Sequence, residues 1–191
     1  MRIISGTLKG RRFTPPTKLK ARPTTDFAKE GLFNVLAGKI DFEDIKVLEL
    51  FAGSGSIGLE FVSRGAESVV GIELSHTHIG YIKKVCTELD VKNYFLQKAD
   101  VFKYLESARG SYDVIFADPP YAIKDLDKLP DLVLNNNLLA EEGIFILEHG
   151  RDYDFSAHPR FLEMRKYGNV HFSFFANAKN SEELGVRSDI F

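Results

Sequence analysis

The sequence has no tryptophan, two methionines and a single cysteine in 191 residues. One thiol, Cys86, forms no internal disulfide and cannot found a cysteine-rich zinc site, so it reads as a small buried hydrophobe. Long apolar runs are missing as well. Stretches such as Val114 to Ala117 and Gly143 to Leu147 fall far short of the roughly 20 residues a membrane helix needs. No signal peptide opens the chain, so a soluble, cytoplasmic protein with no membrane partner is expected. Internal repeats, low-complexity tracts and long linkers are absent too. A chain of this length with 44% hydrophobic residues suits one domain with a sizeable core.

Acidic residues are missing from the start of the chain. Arg2, Lys9, Arg11, Arg12, Lys18, Lys20 and Arg22 all precede Asp26, the first acid; behind them stand 18 basic against 27 acidic residues, a balance of −9. Charge alone fits either a solvated terminus or a footprint for phosphates whose binding weakens as salt rises. The stretch "RIISGTLKGRRF" places two short β-prone runs around Gly6 and Gly10 and predicts a small hairpin. Residues 1–22 are expected to form this basic arm as part of the same unit as residues 23–191. After Pro15-Pro16, "RPTTDFAKEGLFNVLAGKI" carries helix-start chemistry ahead of Phe27, Leu32, Val35 and Leu36, with Gly38 as its stop.

From Lys46 strands alternate with helical stretches. Strands are expected at 46–51, 68–73, 94–98, 112–117 and 143–148, and helices near 56–64, 76–89, 100–108 and 126–138. That alternation predicts an α/β fold with a parallel sheet covered on both faces. "RFLEMRKYG" and "NVHFSFFAN" meet at Gly168-Asn169 as an antiparallel hairpin on the sheet edge. In such sheets ligands bind beyond the carboxyl ends of the strands, which makes the residues just after each strand the site candidates.

The first of those ends is "LELFAGSGSIGLE". Gly53, Gly55 and Gly58 have GxGxxG spacing between a strand and a helix, and Glu73 ends the next strand, a pattern suited to a nucleotide whose ribose an acid would bind. A plain tight turn has the same glycines. Glu49, within the preceding strand, fits a dinucleotide pyrophosphate poorly; it suits the ammonium of S-adenosylmethionine, whose carboxylate the loop N–H groups would take. The direction of the Glu49 side chain is not readable from the sequence. From spacing alone Asp100 reads first as an N-cap, and at the ligand edge its carboxylate also reaches an adenine amino group.

Asp118-Pro119-Pro120-Tyr121 follows the strand "YDVIF" and lies at the same edge. The prolines stiffen the backbone and withhold their own N–H groups, leaving carbonyl acceptors. A Pro-rich turn needs no more than that. A carboxylate, a carbonyl and a ring held together also suit methylation of an exocyclic base amine, whose lone pair is delocalised until its N–H bonds are held by acceptors. Tyr121 would stack on the base, a contact worth about 1 to 3 kcal/mol, and a paired target must first leave its stack. An ordinary Asp is too acidic to strip a neutral amine, so Asp118 orients it and takes or relays the proton after attack.

With "MRIISGTLKGRRF", "RPTTD…KEGLFNVL", "VVGIE", "DVFKYL" and the late "RKYG", these motifs resemble the bacterial RsmD family, which methylates a guanine N2 of 16S rRNA. The resemblance covers most of the chain. It implies a Rossmann-like class I methyltransferase fold with a mostly parallel seven-stranded sheet and S-adenosyl-L-methionine as cofactor. It further implies a cofactor site of Glu49, Phe51, Ala52, Gly53, Ser54, Gly55, Gly58, Glu73, Leu74, Asp100 and Val101, with Asp118, Pro119, Pro120 and Tyr121 as the catalytic tetrapeptide. The basic arm becomes an rRNA contact, the partner is 16S rRNA in the small subunit or an assembly intermediate, and the protein is expected to be a monomer. Two positions depart from the family: Phe27 stands where a basic residue is frequent, and Glu49 where an Asp is common.

Other readings use the same residues. DPPY also suits adenine N6 in DNA or RNA, although 191 residues leave no evident domain for reading a DNA sequence. A non-catalytic nucleotide- or RNA-binding module would keep the loop and the arm, and a dinucleotide oxidoreductase is disfavoured by Glu49. His76 and His78, at i and i+2 of a helix, do not share a face, and His149, His158 and His171 show no ligand spacing, so no metal is expected.

Overall fold

The computed structural model describes residues 1–15, 25–120 and 123–177. Seven strands, β1 (Lys46–Leu50), β2 (Ser68–Glu73), β3 (Tyr94–Lys98), β4 (Tyr112–Ala117), β5 (Leu139–His149), β6 (Phe161–Tyr167) and β7 (Val170–Ala176), form one sheet in the order 3-2-1-4-5-7-6. The pairings from β3 through β5 are parallel, and β7 runs antiparallel to both β5 and β6.

Because strand residues alternate between faces, β1 sends Val47 into one hydrophobic cluster and Leu48 and Leu50 into another. The first cluster lies under α1 (Asp26–Ala37), α2 (Ser56–Ser63) and α3 (His76–Glu88); the second lies under α4 (Val101–Ser107) and α5 (Leu129–Leu134). Burial on both faces explains why "VIFA" and "GIFIL" are continuously apolar rather than alternating. Thr25 caps α1 through the Ala28 N–H at 3.2 Å, and Gly38 ends it as expected. Cys86 is buried on α3, which pushes its thiol up to about 11.

Two expectations need correction. The helix predicted at 126–138 is a 3₁₀ turn, Leu126–Lys128, followed by the six-residue α5. Pro130 restarts the helix in its first turn, and the chain leaves it at Asn135-Asn136-Asn137, where Asn137 adopts φ 53°. Strand β5 begins at Leu139, earlier than position 143, with the exposed Glu141 and Glu142 interrupting its apolar pattern and a register shift opposite Tyr112 to Val114. The amino-terminal segment forms the expected small hairpin, with an antiparallel bridge from Arg2 to Arg12 and Ile3 N–H donating to the Arg11 carbonyl at 3.0 Å and Phe13 N–H to the Met1 carbonyl at 3.2 Å.

Beyond the bonds that close it, the segment is also held on α2. Glu60 accepts from the Ile4 and Ser5 N–H groups at 2.8 and 3.0 Å, and the Ser63 carbonyl accepts from Thr7 N–H at 2.7 Å. Gly6, at φ 80°, makes this approach possible, since a Cβ there would overlap the Ser63 carbonyl. Lys29 of α1, with no exposed surface, donates to the Arg2 carbonyl at 2.6 Å and to Ser56 Oγ at 3.1 Å, with Glu60 Oε2 at 3.6 Å. Lys18, Lys20 and Arg22 lie outside the described residues.

Candidate active site

The carboxyl ends of β1, β2 and β4 bring the predicted residues to one edge of the sheet. The turn after β1 is folded by its own backbone: Ala52 N–H donates to the Ile72 carbonyl at 3.0 Å and Gly55 N–H to the Ala52 carbonyl at 2.7 Å. Gly53 and Gly55 have positive φ, as does Phe51 at 61°. A left-handed phenylalanine costs about 1 to 3 kcal/mol and marks a position fixed by its surroundings; the Phe51 ring meets Phe102 edge-on at 6.4 Å. Ser54 is buried.

Glu49 points beneath this loop, on the α2 side of the sheet. It is 2% exposed and accepts hydrogen bonds from the Tyr94 hydroxyl and the Gly58 N–H. Burial raises its carboxyl to about 7 despite those two bonds, with Glu73 adding to the rise. Gly58 is required here because a Cβ would collide with Glu49 Oε2 and the Tyr94 ring. The sequence suggests a place for Glu49 near a cofactor ammonium; in the fold its partners are Gly58 of α2 and Tyr94 of β3.

Glu73 joins loop to strand. Its Oε2 accepts from Gly53 N–H at 2.8 Å and its Oε1 from Ser75 N–H at 2.7 Å, while His78 Nδ1 lies 3.4 Å from Oε2. Leu74 beside it is 61% exposed, among the few large hydrophobic side chains left open. Asp100 caps α4 through Lys103 N–H at 3.1 Å, and Val101 is buried behind it. An open apolar side chain next to a carboxylate at the carboxyl edge suits an adenosine, with base on Leu74 and ribose hydroxyls near Glu73. These residues therefore fit S-adenosylmethionine.

Asp118 stands at the end of β4, where its N–H donates to the Leu50 carbonyl of β1 at 3.4 Å, tying the two strand ends together. Pro119 is buried, and the Pro120 carbonyl accepts from Ile123 N–H at 3.0 Å, which closes the turn. Tyr121 lies outside the described residues. Asp118, Pro119 and Pro120 line a cavity of about 400 Å³ together with Leu126, Glu148, His149, Gly150, Asp152 and Tyr153. Burial first, then the charges of Glu148 and Glu49, hold the Asp118 carboxyl well above the usual carboxylate range.

Glu148, His149 and Tyr153 were missed from the sequence as site residues. For Glu148 and His149 the signal was the same as for Asp118, namely the end of a parallel strand, in "FILEHG"; Tyr153, beyond that end, carried none. His149 contributes shape rather than charge. Burial lowers its pKa, its Nδ1 faces the Gly150 carbonyl at 2.8 Å and must carry the proton, and its Nε2 accepts from Ser173 Oγ at 2.7 Å. A larger depression, about 570 Å³, beside the end of α4 contains Phe95, Arg109 and Tyr112 and none of the predicted site residues.

The strand order, the antiparallel β7 and the glycine turn after β1 together define the class I, Rossmann-like methyltransferase fold. Within it, the chain belongs to the family described as Conserved hypothetical protein 95, whose model matches residues 1–176. It is 30% identical to the ribosomal RNA small subunit methyltransferase D of Buchnera aphidicola, over 94% of this chain and 93% of that one. It is 33% identical to the protein of the same name from Escherichia coli K12, over 78% and 74%. The solved structure of yhhF from Escherichia coli superposes with a TM-score of 0.80 at 29% identity, covering 93% of this chain and 98% of that one. Among the described residues no helix is long and apolar enough to cross a membrane, and no three His, Cys, Asp or Glu side chains are grouped for a metal ion.

Proposed function

We propose that this protein transfers a methyl group from S-adenosylmethionine to the exocyclic N2 of a guanine in 16S rRNA, acting in the cytoplasm as a monomer on the small subunit or an assembly intermediate. The observation that carries the reading is Asp118, fixed on a proline-stiffened turn beside the glycine loop and opening into a cavity large enough to admit a nucleobase. The names of the relatives, ribosomal RNA small subunit methyltransferase D, support the substrate class.

Glu73, Leu74, Asp100 and the turn from Phe51 to Gly55 would hold the cofactor, with Glu49 and Gly58 fixing that turn from below. Bound there, S-adenosylmethionine supplies a methyl carbon made electrophilic by its sulfonium. Asp118 and the Pro119 carbonyl take the two N–H bonds of the amine, freeing its lone pair from the ring and aiming it, so that catalysis is chiefly positioning. Half-buried and beside Glu148, Asp118 has a higher proton affinity than an exposed aspartate, which suits it to accept the proton the amine gives up once the N–C bond has formed. Tyr121 is proposed to stack on the base, and Arg2, Lys9, Arg11 and Arg12 to contact rRNA phosphates.

The test is transfer of labelled methyl groups to small subunits lacking native modifications, to naked rRNA and to duplex DNA, with nucleoside analysis of the products. N2-methylguanosine in rRNA is expected; N6-methyladenosine would overturn the base assignment. Asp118→Ala should lose at least about 100-fold in kcat, the low end of what a positioned acid–base group contributes, and still bind the cofactor. Undiminished turnover would remove Asp118 from the mechanism.

A further inference from the structure

The register of the sheet places a second carboxylate beside Asp118. Ala117 of β4 pairs with Leu147 of β5, so Asp118 and Glu148 are the next residues along two parallel neighbours, whose strands are about 4.8 Å apart. They follow Phe116 and Ile146 by two residues, and both of those pack in the cluster under α1 to α3, so the two acids continue the same side of the sheet. Both line the cavity, and Glu148 is 7% exposed.

Among the described residues lining that cavity, side-chain hydrogen-bond capacity leans towards acceptors, with the Tyr153 hydroxyl as a donor. Among the described residues no lysine or arginine lines it. The two ring nitrogens of His149 are committed to Gly150 and Ser173, so its imidazole offers no N–H to a ligand. Asp118, Glu148 and Asp152 leave a wall dominated by acceptors.

Nucleobases differ in how they match such a wall. Guanine presents its N1–H directly beside its N2 amine, a continuous row of donors. Adenine and cytosine each set a ring-nitrogen acceptor next to the amine, which a carboxylate repels. We propose that Glu148 accepts the N1–H of the target guanine while Asp118 holds the N2 amine, so that the paired carboxylates select guanine over adenine and cytosine. The proposal rests on the guanine-N2 reading above and assigns the selection to one residue. The Glu148 charge also contributes to the raised proton affinity of Asp118, which is consistent with the two carboxyls lying close together.

A base analogue tests this without disturbing the protein. 2-Aminopurine keeps the 2-amino group but carries a bare N1 acceptor. Small subunits are reconstituted with 16S rRNA bearing guanine or 2-aminopurine at the mapped target, and kcat/KM is measured for wild type and Glu148→Gln. Wild type should prefer guanine by roughly 10- to 100-fold, the range a good base-edge pair contributes. Glu148→Gln, whose amide can donate to N1, should bind cofactor normally and bring the ratio to within about threefold of unity. Equal turnover of the two bases by wild type overturns the proposal, as does an unchanged ratio in Glu148→Gln. A wild-type enzyme that yields no N2-methylguanosine at all refutes instead the guanine-N2 reading, so the two failures are distinct.

Discussion

Glu49 carries its carboxyl beneath the glycine turn at a cost that pH reveals. Its folded value of about 7 lies above the ordinary 4.5, so the folded chain holds this proton more tightly than the unfolded one. Below about pH 4.5 the group is protonated in both states and costs nothing. As pH rises to 7 the folded carboxyl must ionise in a buried place or keep a proton the unfolded chain has released, and the cost grows to about 3 kcal/mol at 1.36 kcal/mol per pH unit. Glu49→Gln removes the ionisation and keeps an acceptor for Tyr94. Its stability relative to wild type should therefore improve by about 3 kcal/mol between pH 4.5 and pH 7.5, read from urea unfolding at both values. A constant difference across that interval would mean that the Glu49 proton is held no more tightly in the fold than out of it.

Helices α1 and α2 are joined by an ion pair that periodicity could not disclose. Lys29 and Glu60 are both fully buried, and burial lowers the Lys29 pKa against the pull of Glu60 and Asp26. Glu60 has further partners in the Ile4 and Ser5 N–H groups and in Arg64 Nε at 3.0 Å, and the Arg64 guanidinium lies over the Phe33 ring at 4.6 Å. The two truncations should differ. Glu60→Ala strands a buried ammonium and two backbone donors and should cost about 3 to 5 kcal/mol, whereas Lys29→Met leaves Glu60 with Arg64 and both N–H groups and should cost clearly less. Equal losses in urea unfolding would show that Glu60 serves only Lys29. The parallel strands were legible because burial on both faces writes continuous apolar runs, and α1 because Thr25 and Gly38 mark its ends. Lys29 was not, since its partner lies 31 positions away and only the docking of α1 on α2 joins them. The 126–138 stretch misled because its leucines keep a helical spacing past the point where three asparagines end the helix.

At the level of the molecule, the carboxyl-edge rule brought Glu73, Asp100 and Asp118 together from sequence, but not Glu148, because which face a strand-end side chain takes depends on a register shared with its neighbour. The amino-terminal segment shows the converse. Its charge was legible and its attachment was not: the segment is pinned to α2 by Glu60 and Ser63, with Ile3 in the core, so Lys9, Arg11 and Arg12 are exposed on a fixed support while Arg2 is drawn to within 4.0 Å of Asp26. A fixed cationic edge on a body of opposite net charge should orient an rRNA partner by its phosphates. Neutralising all three exposed residues should then lower affinity for small subunits, and most at low salt. The slope of log K against log salt should become shallower by about 2 to 3, at roughly 0.7 to 0.9 for each phosphate no longer neutralised. Affinity for S-adenosylmethionine should stay unchanged, because the segment that carries the three is held on Glu60 and Ser63, in the second half of α2. Parallel salt plots for wild type and the Lys9→Ala, Arg11→Ala, Arg12→Ala triple variant would mean that rRNA approaches by another face.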